Sequence, residues 1–306
     1  MNPLHKPLVP RTRRGRALAG LAMAMALALA AAVPARAQDA ASLRAGHEAL
    51  RGALASNAFQ RPLVLESNER EDALQGDIYA RIDLPMAVVA PALTGIDHWC
   101  EILILHLNVK QCRAGDSKAG DALQLVIGQK HDQPLDQAYR FAFAYRVVAS
   151  RPDYLQVQLT ADAGPLGTRG YRIVLEVAAL DARRSFLHLS YSYGIGMMAR
   201  VAMQGYLATV GRDKVGFSIV GRKPDGGPLY IANTRGVVER NTMRYYLAIE
   251  AYLGALSLPP AQRFEKRLAD WHTGVERYPL QLHELERGEY LGLKREQLKR
   301  QQAPGG

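Results

Sequence analysis

The chain has 306 residues and carries 39 lysines and arginines against 29 aspartates and glutamates, a formal net charge of +10. Six of the basic residues lie within the first 37 positions, which leaves 33 basic against 29 acidic residues, a net charge of +4, in the rest. Nucleic-acid-binding proteins concentrate many phosphate-neutralising side chains on one face. This weak charge, without a recognisable nucleic-acid-binding module, argues against a nucleic-acid partner.

The first 37 residues have the layout of a cleaved export signal. A basic start is followed by an apolar run over 17–33, and small residues precede a cleavage point between Ala37 and Gln38. These apolar residues are fewer than the ~20 that a membrane-spanning helix needs. We expect a periplasmic or secreted protein with no stable membrane span after cleavage. The general secretory route is favoured over twin-arginine export, which Thr12-Arg13-Arg14 faintly suggests.

Cys100 and Cys112 are the two cysteines of the chain. In an oxidising compartment such a pair predicts one disulfide, and closing so short a loop stabilises a protein by roughly 3 kcal/mol. His98 and His106 lie nearby, but the CxxC spacing and second ligand pair of a zinc site are absent. We therefore expect a structural disulfide and no metal.

Residues 38–73 are predicted to form an N-terminal helix and an extended segment. Leu43, Leu50 and Leu54 recur at near-helical spacing within 40–58. Extended segments follow at 62–67 and 74–83, and the second alternates apolar and polar residues as a half-buried strand does.

From Met86 onward the strand-like alternation of apolar and polar residues gives way to helical spacing, before a further strand that ends at Cys112. Met86 to Leu93 suits a short helix, Thr94-Gly95 ends it, and Asp97 can cap a second helix with an apolar face that includes Trp99. A strand over 106–112 should follow.

Residues 121–193 alternate in the manner of an antiparallel meander. One face of these strands carries aromatic side chains while Arg140 and Arg146 fall on the other face. Strands with one wet and one aromatic-rich face belong in a strongly curved sheet. The aromatic residues predicted to point inward are Phe141, Phe143, Tyr145, Tyr171, Tyr191 and Tyr193.

The remainder of the chain is predicted to be mainly helical. A helix over 197–214 is followed by a hairpin that turns at Asp225-Gly226-Gly227, and Asn241 or Thr242 can cap a helix ending near 256. Residues 257–306 form a charged helical tail with a disordered end. A solvated helix or packing arm is favoured for this tail over a membrane-surface helix.

This order of elements resembles the START-like superfamily of lipid-transfer domains, polyketide cyclases and aromatase-like proteins. The resemblance covers about 74–216 and depends on IYARIDLPMAVVAPALTGIDHW, where a strand runs into a proline and two helices. The segments HWCEILILHLNVKQC and GVVERNTMRYYLAIEAYLGAL also resemble uncharacterised exported bacterial proteins. The superfamily implies an α+β helix-grip fold, a curved antiparallel sheet gripping a long helix, here with extra N- and C-terminal helices. The core would span 74–256 with the hairpin inserted, and either 197–214 or 241–256 would be the grip helix.

The resemblance further implies an apolar cavity between sheet and helix that holds a hydrophobic, lipid-like molecule. Tyrosines inside a sheet supply a wide apolar wall with a few hydroxyls, although they also suit a filled core. A carrier protein is our first expectation; a cyclase- or hydratase-like enzyme and a non-catalytic cell-envelope interaction protein are the alternatives. The expected ligand wall is Trp99, Phe141, Phe143, Tyr145, Tyr171, Tyr191 and Tyr193.

Motifs that carry catalysis are absent from the sequence, including GxSxG, HExxH, the P-loop and GxGxxG. We therefore assign no catalytic residue and no cofactor, and His188 is expected on the outer face of its strand as a surface residue. Arg235, Glu239, Arg240 and Arg244 are expected to form a surface ion-pair network. Alternatively, Arg240 or Arg244 contacts an anionic head group at a cavity mouth.

Overall fold

A computed structural model of the chain describes residues 39–117, 120–209 and 211–302. The predicted signal peptide over 1–37, its cleavage point and the predicted disordered end at 303–306 lie outside these residues. Among the described residues, none of the helices combines the length and apolar character that crossing a bilayer requires.

The described residues form nine helices and ten strands, apart from two single turns of 3₁₀-helix. The strands are β1 (Leu63–Glu69), β2 (Ala73–Ile82), β3 (Val109–Ser117), β4 (Gly120–Ile127), β5 (Tyr139–Arg151), β6 (Tyr154–Ala163), β7 (Thr168–Ala179), β8 (Ser185–Ile195), β9 (Ile219–Arg222) and β10 (Pro228–Tyr230). The helices are α1 (Ala40–Ala49), α2 (Arg51–Ala55), α3 (Met86–Thr94), α4 (Ile96–Leu103), α5 (Met197–Ala208), α6 (Asn233–Gly254), α7 (Pro260–Glu276), α8 (Pro279–Leu282) and α9 (Arg287–Gln302).

Eight of the strands make one antiparallel sheet in the order β1-β2-β8-β7-β6-β5-β4-β3, and β9 and β10 pair separately as a hairpin. Period-2 alternation divides β8 between two cores: Leu187, Leu189 and Tyr191 enter the main core, whereas Phe186 enters a smaller one on the opposite face. The meander is therefore confirmed, and with it the curved antiparallel sheet of the α+β prediction.

The long helix α6 packs on the main-core side of β1, β2 and β8. This contact resolves the choice between the two candidate grip helices in favour of the second. The predicted start of that helix at Asn241 or Thr242 was wrong, because the helix begins at Asn233. Thr242 Oγ1 donates to the Val238 carbonyl at 2.8 Å within the helix, so it does not cap a helix end.

The N-terminal helices cover the outer face of the sheet. Leu43 of α1 and Leu54 of α2 bury themselves against Tyr154 of β6 and Phe186 of β8 in the smaller core. Arg44 fastens α1 to the sheet, since its Nε donates to the Ala179 carbonyl at 2.9 Å. Both faces of the sheet are thus partly covered by helices.

The C-terminal helices α7 and α9 each bury one face. Trp271 of α7 stacks on Tyr290 of α9 with ring centroids 4.8 Å apart, and both side chains are fully buried. Lys294 of α9 is also buried, and its Nζ donates to the His106 and Val109 carbonyls at 2.7 and 2.9 Å. These helices therefore lie on the body of the protein and close its main core.

Candidate ligand-binding face and cationic cluster

Five of the seven predicted wall residues come together on the inner face of the sheet. Phe141 and Phe143 of β5 lie against Tyr171 of β7, with centroid distances of 5.9 and 6.2 Å. Tyr171 stacks on Tyr193 of β8 at 5.2 Å, and Tyr193 lies 5.4 Å from Tyr191. The predicted register is correct, since these side chains point inward while the side chains facing the other way are the exposed Arg140, Arg146 and Arg172.

The other two predicted wall residues pack where α3 ends. Trp99 is buried, and its Nε1 donates to the Leu93 carbonyl at 2.9 Å. The Tyr145 hydroxyl donates to the Thr94 carbonyl. Their polar atoms therefore hold the α3–α4 junction against the sheet.

Helix α6 extends the row of rings with a residue that the sequence did not single out. Tyr245 lies 5.2 Å from Tyr191, and on its other side it stacks on His106 at 4.9 Å. Burial raises the pKa of both tyrosines. We call Phe141, Phe143, Tyr171, Tyr191, Tyr193 and Tyr245 the aromatic face.

Next to Tyr245 in the chain, Arg244 belongs to a cluster of positive charges. Its Nη2 lies 2.8 Å from Glu284 Oε1, and Lys130 Nζ lies 2.5 Å from the same oxygen. Lys214 Nζ lies 3.8 Å from Glu284 Oε2. Arg240 adds a fourth cation, and its Nη1 donates to the Val215 carbonyl at 3.1 Å. We call Lys130, Lys214, Arg240 and Arg244 the cationic cluster.

The charged groups of this cluster shift one another's pKa values. Burial, together with the charge of Arg244, lowers the pKa of Lys130. Burial opposes ionisation of Glu284, but Arg244 and Lys130 outweigh it and hold the pKa of that carboxyl below its usual value. The Glu284 carboxylate is therefore ionised at neutral pH and is shared by three of the four cations.

The expected surface network around Arg235, Glu239, Arg240 and Arg244 was wrong, because the last three side chains are buried. Glu239 Oε2 accepts hydrogen bonds from the Phe217 and Ser218 amides at 2.5 and 2.9 Å. Its Oε1 accepts from the hydroxyls of Ser67 and Ser218, both at 2.6 Å. Buried charges require such partners, and loop 211–218 supplies several of them.

His188 lies on the outer face as predicted, but it is mostly buried. Its Nδ1 lies 2.9 Å from Glu176 Oε2 and its Nε2 lies 3.0 Å from Asp77 Oδ1. Tyr79 stacks flat on the imidazole at 4.4 Å, and the Tyr154 hydroxyl donates to Glu176 Oε1 at 2.5 Å. Both ring nitrogens are occupied, so the histidine binds neighbouring strands together and has no free nitrogen for base catalysis.

Three open pockets lie around these features. One of about 500 Å³ is lined mainly by residues that face away from the aromatic face, among them Gln124, Arg140 and Ala142, and also by Phe141. Another of about 570 Å³ lies between Phe59, Phe217 and Tyr278, and a third of about 610 Å³ is lined in part by Cys112 and Tyr252. The first pocket therefore lies mainly on the side of β5 opposite the aromatic face.

No family model matches the chain, and no curated protein matches it significantly. Among solved structures, the human StarD13 (DLC2) lipid transfer and protein localization domain matches at 13% identity and a TM-score of 0.33, covering 47% of this chain and 76% of that one. The Zhui aromatase/cyclase from Streptomyces sp. R1128 matches at 11% identity and a TM-score of 0.31, covering 76% and 99%.

A START superfamily protein from Mycobacterium smegmatis matches at 10% identity and a TM-score of 0.29, covering 44% of this chain and 88% of that one. The chain has the helix-grip fold, which its own strand order and its α6 contacts establish.

Sequence reasoning missed three members of the polar part of the site. Lys130 follows β4, Lys214 lies after α5 and Glu284 lies between α8 and α9, so no local motif joins them. Only the fold places these residues together. Tyr245 lies within the helix predicted to end near residue 256, but helical spacing alone did not connect it to the strand aromatics.

Proposed function

We propose that this protein is a binding or carrier protein for a hydrophobic, lipid-like ligand that lies against the aromatic face, between the sheet and α6. The observation that carries the proposal is the continuous row of rings from Phe141 to Tyr245, reached through Tyr171 and Tyr191. Such tyrosine-rich surfaces offer a large apolar contact area with a few hydroxyls for orientation.

The row of rings ends at Tyr245 beside the cationic cluster, and this arrangement supports the proposal of an amphipathic ligand. Tyr245 packs against the main core to which Ile249 and Tyr252 of the same helix belong. Its chain neighbour Arg244 belongs to the cationic cluster. In the proposed complex Arg240 and Arg244 contact an anionic head group, and the aromatic face contacts the apolar part. Trp99 and Tyr145 complete the wall near the α3–α4 junction.

The proposed compartment is the periplasm or the exterior of the cell. The basic start, apolar run and small residues before Gln38 support export. The Cys100–Cys112 disulfide, with Cα atoms 5.2 Å apart, agrees with an oxidising compartment. Intact mass of the exported product tests this proposal: a chain beginning at Gln38 is expected, and a mature product that retains 1–37 would contradict it.

Native mass spectrometry after gentle extraction tests ligand binding directly. We expect a bound mass of lipid size that organic extraction removes. The extracted molecule, or a fluorescent fatty acid as a defined probe, should then rebind to the stripped protein. Stripped protein that takes up neither, while remaining folded, would argue for a filled core and an interaction protein instead.

Matched variants assign the binding to the aromatic face. Phe143→Ala should cost roughly 3–5 kcal/mol of stability if the face is tightly packed, and less if ligand space adjoins it. Tyr191→Phe should preserve stability and weaken binding by about 0.5–1.5 kcal/mol if its hydroxyl meets the ligand. Tyr139→Phe is the control, because Tyr139 begins the same strand as Phe143 but is 48% exposed.

A further inference from the structure

The cationic cluster has more positive charge than its one shared carboxylate balances. Lys130, Lys214 and Arg244 all lie within 4 Å of Glu284, and Arg240 is close enough to lower the pKa of Lys214 and Arg244. Four cations around one carboxylate leave a surplus of three charges. This surplus favours an additional or more highly charged anion at the same place.

Glu239, the other buried carboxylate of this region, is committed elsewhere. Its two oxygens accept four hydrogen bonds from Ser67, Phe217 and Ser218. Each of these donors is a neutral amide or hydroxyl. Glu239 therefore anchors α6 to the loop before β9, while Glu284 holds the cluster.

A second observation also points to a ligand. Arg244 is only 3% exposed, and its Nε has no hydrogen-bond partner among the described residues. His106, which stacks on Tyr245, likewise has a buried Nε2 without a partner in the described part of the chain. Unpaired buried polar nitrogens are costly, and a ligand oxygen would satisfy them.

The cluster is reachable from solvent. The side chains of Lys130 and Lys214 are 25% and 24% exposed, while Glu284 is 9% exposed behind them. Glu284 lies in the short connection between α8 and α9, where Lys214 Nζ also donates to the His283 carbonyl at 2.6 Å. Glu284 thus lies in the short loop between α8 and α9, next to two partly exposed lysines.

We propose that the cationic cluster is a binding site for a phosphate group carrying two negative charges, and that this group replaces the Glu284 carboxylate. A ligand with a single carboxylate would gain little binding affinity from this cluster, because Glu284 already supplies a carboxylate at high effective concentration. A phosphate monoester has three acceptor oxygens and nearly two charges, so it can pair with Lys130, Lys214 and Arg244 together. Glu284 acts as an internal substitute for the anion when the site is empty.

This inference deepens the proposed function, because the cluster adjoins the aromatic face through Tyr245 and would hold the polar end of its ligand. The same chemistry can come from a phosphate-headed lipid or from a free phosphate. Dioctanoyl phosphatidic acid, inorganic phosphate and octanoate are therefore titrated separately by isothermal titration calorimetry. Octanoate carries the apolar chain with a single charge and should bind more weakly than the phosphatidic acid.

Charge variants then locate the binding. Lys130→Met and Lys214→Met should each weaken phosphatidic acid binding by about tenfold, the value of one charge-assisted hydrogen bond. Glu284→Gln should strengthen it by a similar factor, because the competing internal anion is gone. Lys299→Met and Glu296→Gln alter an exposed ion pair on α9 and serve as controls expected to change nothing. Thermal melts confirm that each variant is folded.

The outcomes separate this inference from the proposed function. Binding of inorganic phosphate with the same dependence on Lys130, Lys214 and Glu284 would support the site and identify its ligand as a free phosphate. Binding of octanoate and phosphatidic acid that is unchanged in all three variants would overturn the phosphate site and leave the hydrophobic carrier intact. Folded wild-type and Glu284→Gln proteins that bind neither phosphate probe would also overturn it.

Discussion

His188 Nδ1 on β8 lies 2.9 Å from Glu176 Oε2 on β7, directly across from it in the strand register. On the other side Asp77 of β2 holds Nε2, so one imidazole joins three adjacent strands. A neutral imidazole carries one N–H, whereas these two carboxylates require a donor on each nitrogen. The geometry therefore favours the imidazolium.

We expect His188 to make stability depend on pH above neutrality. Burial alone would lower its pKa, but the hydrogen bonds to Asp77 and Glu176 raise it to about 9. A raised folded-state pKa gives stability that is complete below the unfolded value of about 6.5 and is lost as pH rises toward 9. The shift corresponds to roughly 3 kcal/mol. It is measured as the difference between wild type and a His188 variant in the change of unfolding free energy from pH 6 to pH 9.5, because Lys110, whose pKa burial lowers to about 8, titrates in the same range.

His188→Gln isolates this contribution because it removes the charge and keeps one N–H donor group, the side-chain amide, at this position. The variant should be less stable than wild type at pH 6 and should lose much less stability on going to pH 9.5. His131→Gln, a change in an exposed residue, provides the control and should keep the wild-type pH dependence. An equal loss of stability in His188→Gln and wild type would show that the imidazolium is not the group responsible.

Gly76 of β2 determines how closely the grip helix approaches the sheet. A Cβ atom at this position would lie 2.3 Å from Thr242 Oγ1 and 3.2 Å from Thr242 Cβ on α6. Overpacking of this kind costs roughly 1–3 kcal/mol. We expect Gly76→Ala to lower the free energy of unfolding by that amount in urea titrations.

Two further variants test this explanation. Gly46→Ala places a methyl group on α1 where nothing lies within 4 Å, and should stabilise the protein by about 0.5–1 kcal/mol through helix propensity. Thr242→Ala removes the crowding hydroxyl, so Gly76→Ala should cost less in that background. Additive costs in the double variant would indicate that β2 and α6 do not meet here.

The period-2 pattern of the meander was sufficient to predict the strand residues of the aromatic face, but not Tyr245 of α6. It separates Phe141 and Phe143 from Arg140 and Arg146 within a single strand, and the structure keeps that separation. A half-buried strand is specified by its own residues, because a slip of one position would bury the arginines. The local sequence therefore predicts which strand side chains point inward, and ligand binding at the aromatic face stays a prediction.

The polar part of the site could not be predicted in the same way. Arg240 and Arg244 have the spacing of an ordinary surface pair on a helix. Their burial under loops that are distant in sequence is visible only in the structure. Their partners, the Val215 carbonyl and Glu284, lie 25 and 40 residues away in sequence. Helical periodicity describes which side of α6 a residue occupies and not which loop covers that side.

The remaining prediction concerns the disulfide between α4 and β3. Cys100 and Cys112 are both buried and bonded, as their spacing predicts. Closing this loop restricts the unfolded chain, so the double variant Cys100→Ser, Cys112→Ser should lose roughly 3 kcal/mol of unfolding free energy. Wild-type protein unfolded without reductant should present no alkylatable thiol, and two after reduction. A mass increase of two alkyl groups before reduction would show that the bond does not form in the isolated protein. In that case wild type and the double variant would differ only by the loss of two small buried thiols.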